Sequence, residues 1–488
     1  MRYVKALVLI LIVSFFTVSC FEDNDDNLIS ASQINDFVWK GMNSWYFWQQ
    51  DVPNLSDEKD DNNAAYTSFL NSVNPPKDFF NSLRYQIGIT DRFSWFVEDY
   101  IVLQQQFQGI SKSFGIDFEP VQINNNGDVI IYISYVADNS PAKTANIKRG
   151  DIVNAINGTT INTSNFSELQ RQLFGDNVTL SFVSENNGSL EFIEDKTISS
   201  EVIFENPVYL KKIFNDINGK KVGYLVYNGF RSSYNDELNA AFQDFKSEGI
   251  TELILDLRLN GGGSVSTSSY LASMIYANAG EDKFADLKFN SKHENENGFY
   301  NFSNRLNIFN SDNEKTGEET INRLNTISRL YVLTSKNTAS ASEMVINGLK
   351  PFITVKTVGT TTFGKNVGSI TLYDSPLSDY QNKASANPSH LNAMQPIVFK
   401  IFNKNGESDY TQGFAPEIEV KEYQFWNNIL PFGDENEIVL KAALDDIKGL
   451  TSKSSIKKKA SFSKKIDAKV LSKTFENDMY IENDFFNN

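Results

Sequence analysis

Three short segments carry residue types that can do chemistry together. The first is Asp256-Leu257-Arg258-Leu259-Asn260-Gly261-Gly262-Gly263, the second Thr338-Ala339-Ser340-Ala341-Ser342-Glu343, and the third Thr360-Thr361-Thr362-Phe363-Gly364-Lys365-Asn366. Each of the first two follows a short apolar run and sits where a helical pattern begins. Backbone N–H groups therefore gather at a strand's C-terminal edge, a place that favours negative charge. The third segment sets one lysine, Lys365, among uncharged neighbours. In a dry site a lysine pKa falls from about 10.4 toward 7–8, and the free amine then serves as a base. A serine hydroxyl at a helix start, such a lysine and a glycine turn supply nucleophile, base and oxyanion donors. Histidine is not needed, and the chain has two, His293 and His390, both in polar loop sequence.

The elements that must position these segments alternate in type from about residue 218. Residues 222–227 read as a strand, and Leu238, Ala241, Phe242 and Phe245 fall at helical spacing. Residues 253–257 and 330–333 read as buried strands; helices are predicted over about 267–276 and from about Ala339. Residues 280–325, rich in Asn, Ser and charge, read as a loop. This alternation predicts an α/β core over 196–449. Upstream, 34–97 reads as a small, mostly helical unit: Ile34, Val38, Met42 and Trp45 share a helical face, and Trp39, Trp45, Trp48 and Trp95 are candidate core. Residues 98–195 are β-rich, with Ser140-Pro141 as a helix start and Asn157-Gly158 as a turn.

Composition narrows the function. The 488 residues are 40% hydrophobic and 22% charged, as in a multidomain globular protein. A net charge of −16 argues against nucleic acid as a partner. The single cysteine, Cys20, excludes a disulfide framework and a cysteine-ligated zinc; neither a metal nor a cofactor is expected. Arg2 and Lys5 precede an apolar stretch over 6–18 and then Ser19-Cys20, the order of a secretory signal too short to span a membrane. Past residue 449 the chain is Lys/Ser-rich, and 450–488 reads as a basic, solvated tail.

Three resemblances extend this reading. Val18-Ser19-Cys20 resembles a bacterial lipobox, which implies a signal peptide over 1–19 and lipidation of Cys20. The acidic run within 20–33 is similar to the tether of surface lipoproteins of the Bacteroidetes, and the implied location is the cell envelope, at the outer membrane, periplasmic or surface-exposed. The tract from Ser140 to Gly158, with Phe114-Gly115-Ile116, resembles a PDZ domain; by that resemblance Phe114, Gly115 and Ile116 receive a peptide's C-terminal carboxylate.

The whole of about 114–449 resembles the C-terminal processing peptidases, which are Ser-Lys dyad enzymes with a PDZ domain and a crotonase-like α/β core. The resemblance rests on D-L-R-x-N-x-G-G, S-A-S-E, Thr362-Phe363-Gly364-Lys365 and the late Gly413-Phe414-Ala415-Pro416-Glu417-Ile418. It implies that Ser340 is the nucleophile, with Ser342 as rival, and that Lys365 is the base. Ala341 and Gly262 would supply oxyanion N–H groups, and Glu343 would orient the dyad. Family members often carry a glutamine four residues after the lysine; here that place is Ser369, so the third catalytic member stays open. The expected function is a lipid-anchored serine endopeptidase acting on proteins with accessible C-termini. The rival expectation is a catalytically degenerate peptide or lipid receptor, and a surface scaffold is a third.

Overall fold

The structure is a computed structural model that describes residues 33–280, 282–310, 314–450, 462–466 and 477–481. Cys20, the apolar stretch before it, the acidic run after it and Lys453, Lys457, Lys458 and Lys459 lie outside the described residues. No helix among the described residues is long and apolar enough to cross a membrane.

The N-terminal unit contains α1 (Gln33–Trp45), α2 (Asn63–Leu70) and α3 (Pro76–Ser82). Helix α1 turns Phe37, Val38, Met42 and Trp45 inward, and α2 starts where the Asn62 side chain accepts the Ala65 N–H at 3.0 Å. Trp39 and Trp45 are buried, whereas Trp48 and Trp95 are half-buried. Trp95 packs on a small separate cluster with Val97 and Leu103, and the other side chains do not form a core of their own. They join Leu225, Leu255 and Val332 of the α/β half in one continuous cluster, so the unit is welded to that half.

The PDZ-like region is an antiparallel sheet in the order β1 (Ile116–Gln122), β2 (Val129–Val136), β3 (Ile152–Ile156), β4 (Asn177–Asn186) and β5 (Ser189–Ser199). Ser140 caps the short helix Pro141–Thr144, its hydroxyl accepting the Lys143 N–H at 3.2 Å. The inward residues, among them Ile131, Ile133, Val153 and Phe182, make a separate apolar core.

The α/β half follows with β6 (Val208–Ile217), β7 (Lys220–Tyr227), α4 (Asn235–Glu248), β8 (Glu252–Asp256), β9 (Gly263–Ser264) and α5 (Val265–Ile275). Next come β10 (Lys283–Phe289), β11 (Gly298–Asn301), β12 (Arg329–Thr334), α6 (Ala341–Leu349), β13 (Thr354–Gly359) and β14 (Val367–Ser369). The last are β15 (Ile397–Asn403), β16 (Ile418–Glu419), α7 (Ile438–Ile447) and, after β17 (Lys464–Lys465) at the edge of the PDZ-like sheet, β18 (Met479–Tyr480). One sheet runs β6-β7-β8-β12-β13-β16, parallel from β7 onward. Alternate side chains take opposite faces: Leu253 and Leu255 of β8 pack on the side of α4, α5 and α6, and Ile254 on the side of α7. Burial on both faces explains why these strands read as unbroken apolar runs. A second sheet runs β9-β18-β14-β15-β10-β11.

Two expectations need correction. Residues 280–325 are not a loop: they hold β10, β11 and a hairpin of Arg305–Phe309 with Lys315–Thr320. Phe284, Leu287 and Phe289 are buried there, but the polar residues between them dominate the composition. The segment 450–488 is not wholly a solvated tail. Lys464–Lys465 pairs antiparallel with the end of β1, Met479 and Ile481 are buried in the main core, and Tyr480 is buried beside them. A short apolar triad among lysines and asparagines leaves little trace in the composition.

The PDZ-like region is joined to the α/β half by a buried ion network. Arg149 pairs with Glu422, and Arg258 reaches Asp256 at 2.7 Å, Glu422 at 2.8 Å and Glu437 at 2.9 Å. Two guanidiniums thus serve three carboxylates, and the Phe432 ring lies under both cations. In such a network each charge depends on its partners for compensation, so the relative placement of the two regions is tightly specified.

Candidate active site

The turn after β8 and the turn after β12 are stitched to one another. Asn260 stands at the centre of the stitching. Its side chain donates to the Tyr227 carbonyl at 2.9 Å and accepts the Gly262 N–H at 2.9 Å. Its carbonyl accepts the Ala339 N–H at 3.2 Å and the Ser342 hydroxyl at 3.0 Å. The Thr338 hydroxyl donates to the Leu257 carbonyl at 2.7 Å, and the Ser335 hydroxyl to that of Arg258 at 2.6 Å. Arg258 itself is held by Asp256, so the D-L-R-x-N stretch is the frame under the second turn.

Ser340 sits at the break between that turn and α6, with φ 64° and ψ −118°. A side chain in this region costs about 1–3 kcal/mol and persists only where surroundings impose it. Its hydroxyl is buried and has no hydrogen-bond partner among the described residues, in contrast to that of Ser342. Beside it Gly262 and Gly263 have φ of 120° and 132°; a Cβ on Gly262 would stand 2.6 Å from Ser340 Cβ and 3.0 Å from its Oγ. Glycine is required for that approach.

Glu343 does more than share a helical face with Ser340. One carboxylate oxygen accepts the Ser340 N–H at 3.0 Å and the Lys365 N–H at 2.8 Å. The other accepts the Thr362 hydroxyl at 2.6 Å and the Gly364 N–H at 2.7 Å. Burial pushes this carboxyl's pKa up, and the four donors oppose that shift. The carboxylate is a bolt between the serine turn and the lysine loop, and it acts on their backbones.

Lys365 is buried, 1% exposed. Burial lowers its pKa below the ordinary lysine value, against the pull of Asp478, Asp91 and Glu343. Its Nζ donates to the Asn477 carbonyl at 2.7 Å, lies 3.7 Å from the Asp478 carboxylate and stands 5.1 Å from the centre of the Phe93 ring. No hydrogen bond joins it to Ser340 or Ser369 among the described residues. The Ser369 hydroxyl donates instead to the Met479 carbonyl at 3.3 Å.

The Gly262 N–H, the expected oxyanion donor, is taken by Asn260. Its neighbour Gly263 points its N–H into the site, where it donates to the Asp478 carbonyl at 2.6 Å. The Ala341 N–H opens α6 and has no partner among the described residues. A cleft of about 970 Å³ lies between the neighbouring glycine turn and the PDZ-like region. Phe114, Ile116 and Phe174 line one end, and Gly261, Gly262, Gly263, Asn477 and Asp478 line the other. Gly115, at φ 75°, packs its Cα against Ser140, so the loop predicted to receive a carboxylate turns tightly at the mouth of this cleft. His293 and His390 lie elsewhere, His293 stacked on Trp45. No cluster of three His, Cys, Asp or Glu able to hold a metal occurs among the described residues.

Sequence reasoning missed Asn260, Thr362 and the pair Asn477–Asp478. Asn260 and Thr362 stood inside quoted motifs without a role. Asn477 and Asp478 belong to no motif.

The profile of Peptidase family S41 matches residues 221–420, that of the Peptidase S41 N-terminal domain 33–95, and that of the PDZ domain 113–186. The chain belongs to peptidase family S41. A carboxyl-terminal-processing protease of Picosynechococcus sp. is 24% identical over 305 residues, 59% of this chain and 67% of that protein. A protein of Staphylococcus aureus (strain COL) described as a probable CtpA-like serine protease is 23% identical over 396 residues, 80% of this chain and 66% of its own length. The crystal structure of a Bacteroides fragilis protein assigned to the S41 proteases superposes with a TM-score of 0.66 at 28% identity, covering 85% of this chain and 97% of the other. As an S41 member the chain is a serine-type peptidase with a PDZ domain.

Glutamine cannot replace the bolt. Its amide group would turn N–H toward at least one of the N–H donors now satisfied by Glu343. Glu343→Gln is expected to destabilise the fold by about 1–3 kcal/mol for each donor so opposed, measured by denaturant unfolding. The loss of activity should approach that of Glu343→Ala; a Gln variant with wild-type turnover would show that the bolt is dispensable.

Proposed function

We propose that the protein is a lipid-anchored endopeptidase of the cell envelope that binds protein substrates by their C-terminal tails and cuts them with a Ser340–Lys365 dyad. The observation that carries this reading is the Glu343 carboxylate, which ties the backbone of a strained, unpartnered serine to that of a buried lysine. In the reaction, Ser340 Oγ attacks the scissile carbonyl while the uncharged Lys365 amine takes its proton. The oxyanion is met by the N–H groups of Gly263 and Ala341. Lys365 hands the proton to the leaving amine, and water activated by the same amine then hydrolyses the acyl-serine. Lys365 reaches Ser340 once it has left the Asn477 carbonyl. A degenerate receptor is the second reading, because in this conformation the amine is held away from the serine.

Ser340→Ala is expected to abolish turnover of an unfolded protein substrate, and Lys365→Ala to lower it by about 10²–10⁴-fold. Only the neutral amine accepts the serine proton, and burial lowers the pKa of Lys365. The wild-type kcat/KM should therefore rise with pH through a midpoint below the ordinary lysine value. Full activity in Lys365→Ala refutes the dyad. Polypeptide binding without reaction at Ser340 toward a serine-directed probe identifies the receptor.

Tail recognition is separable from the chemistry. A Cβ at Gly115 would collide with Ser140 at a positive φ. Gly115→Ala is thus expected to raise KM about tenfold for substrates with an apolar C-terminal tail, leaving probe labelling of Ser340 unchanged. Equal KM values for the two chains would remove the PDZ domain from substrate capture. The anchor has its own check: metabolic labelling with a fatty acid should be lost in Cys20→Ala, and retained labelling would refute lipidation at that residue.

A further inference from the structure

The second sheet of the α/β half contains a strand that comes from far along the chain. Strand β18 lies between β9 and β14, pairing parallel with both: Met479 is opposite Gly263, Tyr480 opposite Ser264, and Ser369 also faces Tyr480. Strand β9 follows the glycine turn of the site, and β14 begins two residues after Lys365. The inserted segment therefore runs through the catalytic site. It makes the contacts an extended polypeptide would make there. The Asp478 carbonyl takes the Gly263 N–H, and the Ser369 hydroxyl and carbonyl hold the Met479 carbonyl and the Ile481 N–H at 3.3 and 3.4 Å.

The side chains complete the seat. Tyr480 stacks on Phe107 with ring centres 4.0 Å apart, and Met479 and Ile481 are 0% and 2% exposed. The Asp478 carboxylate faces Lys365. The cost of this occupancy falls on the chemistry. Ser340 is 0% exposed, Lys365 donates to Asn477 rather than to the serine, and Asn477 and Asp478 line the cleft whereas Ser340 and Lys365 do not. A substrate in the cleft therefore touches Asn477 and Asp478 without touching Ser340. Upstream, Lys464–Lys465 is paired antiparallel with Gln122 and Val121 of β1, so the same stretch of chain also touches the PDZ sheet edge that β-strand addition would use.

We propose that the slot between β9 and β14 is the seat of the substrate backbone, and that Asn477–Ile481 is a tethered occupant that competes with substrate for it. The polypeptide class that fits is an extended segment with an acidic residue facing Lys365, followed by bulky apolar residues. Catalysis then requires the segment to leave, and its departure both opens the slot and frees Lys365 to reach Ser340. The apparent affinity for substrate is lowered by the fraction of molecules in which the slot is filled. This inference rests on the peptidase reading above.

The test uses the full chain with Ser340→Ala, so that a bound polypeptide is not consumed, and reduced, carboxymethylated α-lactalbumin as the probe. Saturating probe is expected to speed hydrogen–deuterium exchange at 477–481 by about tenfold or more, with β8 still protected. A probe that binds, by fluorescence anisotropy, without changing that exchange overturns the proposal, as does a chain that binds no probe. A second measurement avoids the bound polypeptide. Asp478→Asn keeps the side-chain shape and removes the charge facing Lys365, and acylation of Ser340 by a fluorophosphonate is expected to quicken by about tenfold. Equal acylation rates in the two chains overturn the proposal while leaving the peptidase reading intact. That reading fails separately, if turnover survives Ser340→Ala.

Discussion

A single buried carboxylate holds the serine turn and the lysine loop of this molecule together. Glu343 accepts hydrogen bonds from the backbone of Ser340, Gly364 and Lys365 and from the Thr362 hydroxyl, which places two loops far apart in sequence in one geometry. Placing a carboxylate out of water is costly unless its lone pairs are filled. Here they are filled by the groups that need positioning, so the cost of burial becomes a requirement on the serine and lysine loops. The unfavourable backbone of Ser340 is part of the same arrangement, since the residue that bends into α6 also gives its N–H to Glu343.

Around that bolt the α/β half forms the frame, and the PDZ domain is fastened to its edge. The parallel strands β7, β8, β12 and β13 are covered on both faces, and the site lies at the turns that leave β8 and β12. Asn260 fastens one turn to the other, and Arg149 and Arg258 fasten the PDZ domain to the sheet through shared carboxylates. The cleft running between the PDZ loop and the glycine turn thus has walls belonging to three parts of the chain. Asn477 and Asp478 line it as well, and they lead into a strand whose apolar residues are buried in the second sheet.

The legible parts of the sequence were those where one local pattern matched one local role. Apolar runs ending in glycine or serine turns marked β8 and β12, the Ser140-Pro141 pair marked a helix start, and the helical spacing of Ile34, Val38, Met42 and Trp45 marked α1. Strand β10 escaped notice because its buried residues are diluted by charge, and β18 because its pairing partners are more than a hundred residues away. The partner of each glycine N–H was hidden for a similar reason. Whether Gly262 or Gly263 points inward depends on the Asn260 side chain, which captures the first N–H and leaves the second.

By itself the sequence determined the residue types available for chemistry: one lysine in an uncharged stretch, serines at a helix start, a glycine run after a buried strand, and a near absence of histidine. It also determined the alternation of elements, since periodicity and turn chemistry are local properties. Tertiary structure alone decided which serine hydroxyl is left unpartnered, which N–H faces the site, and where the lysine amine points. Those outcomes are set by hydrogen bonds between turns brought side by side only when the sheet forms. A buried polar group takes whichever partner the fold brings within reach, and distance along the chain does not reveal it.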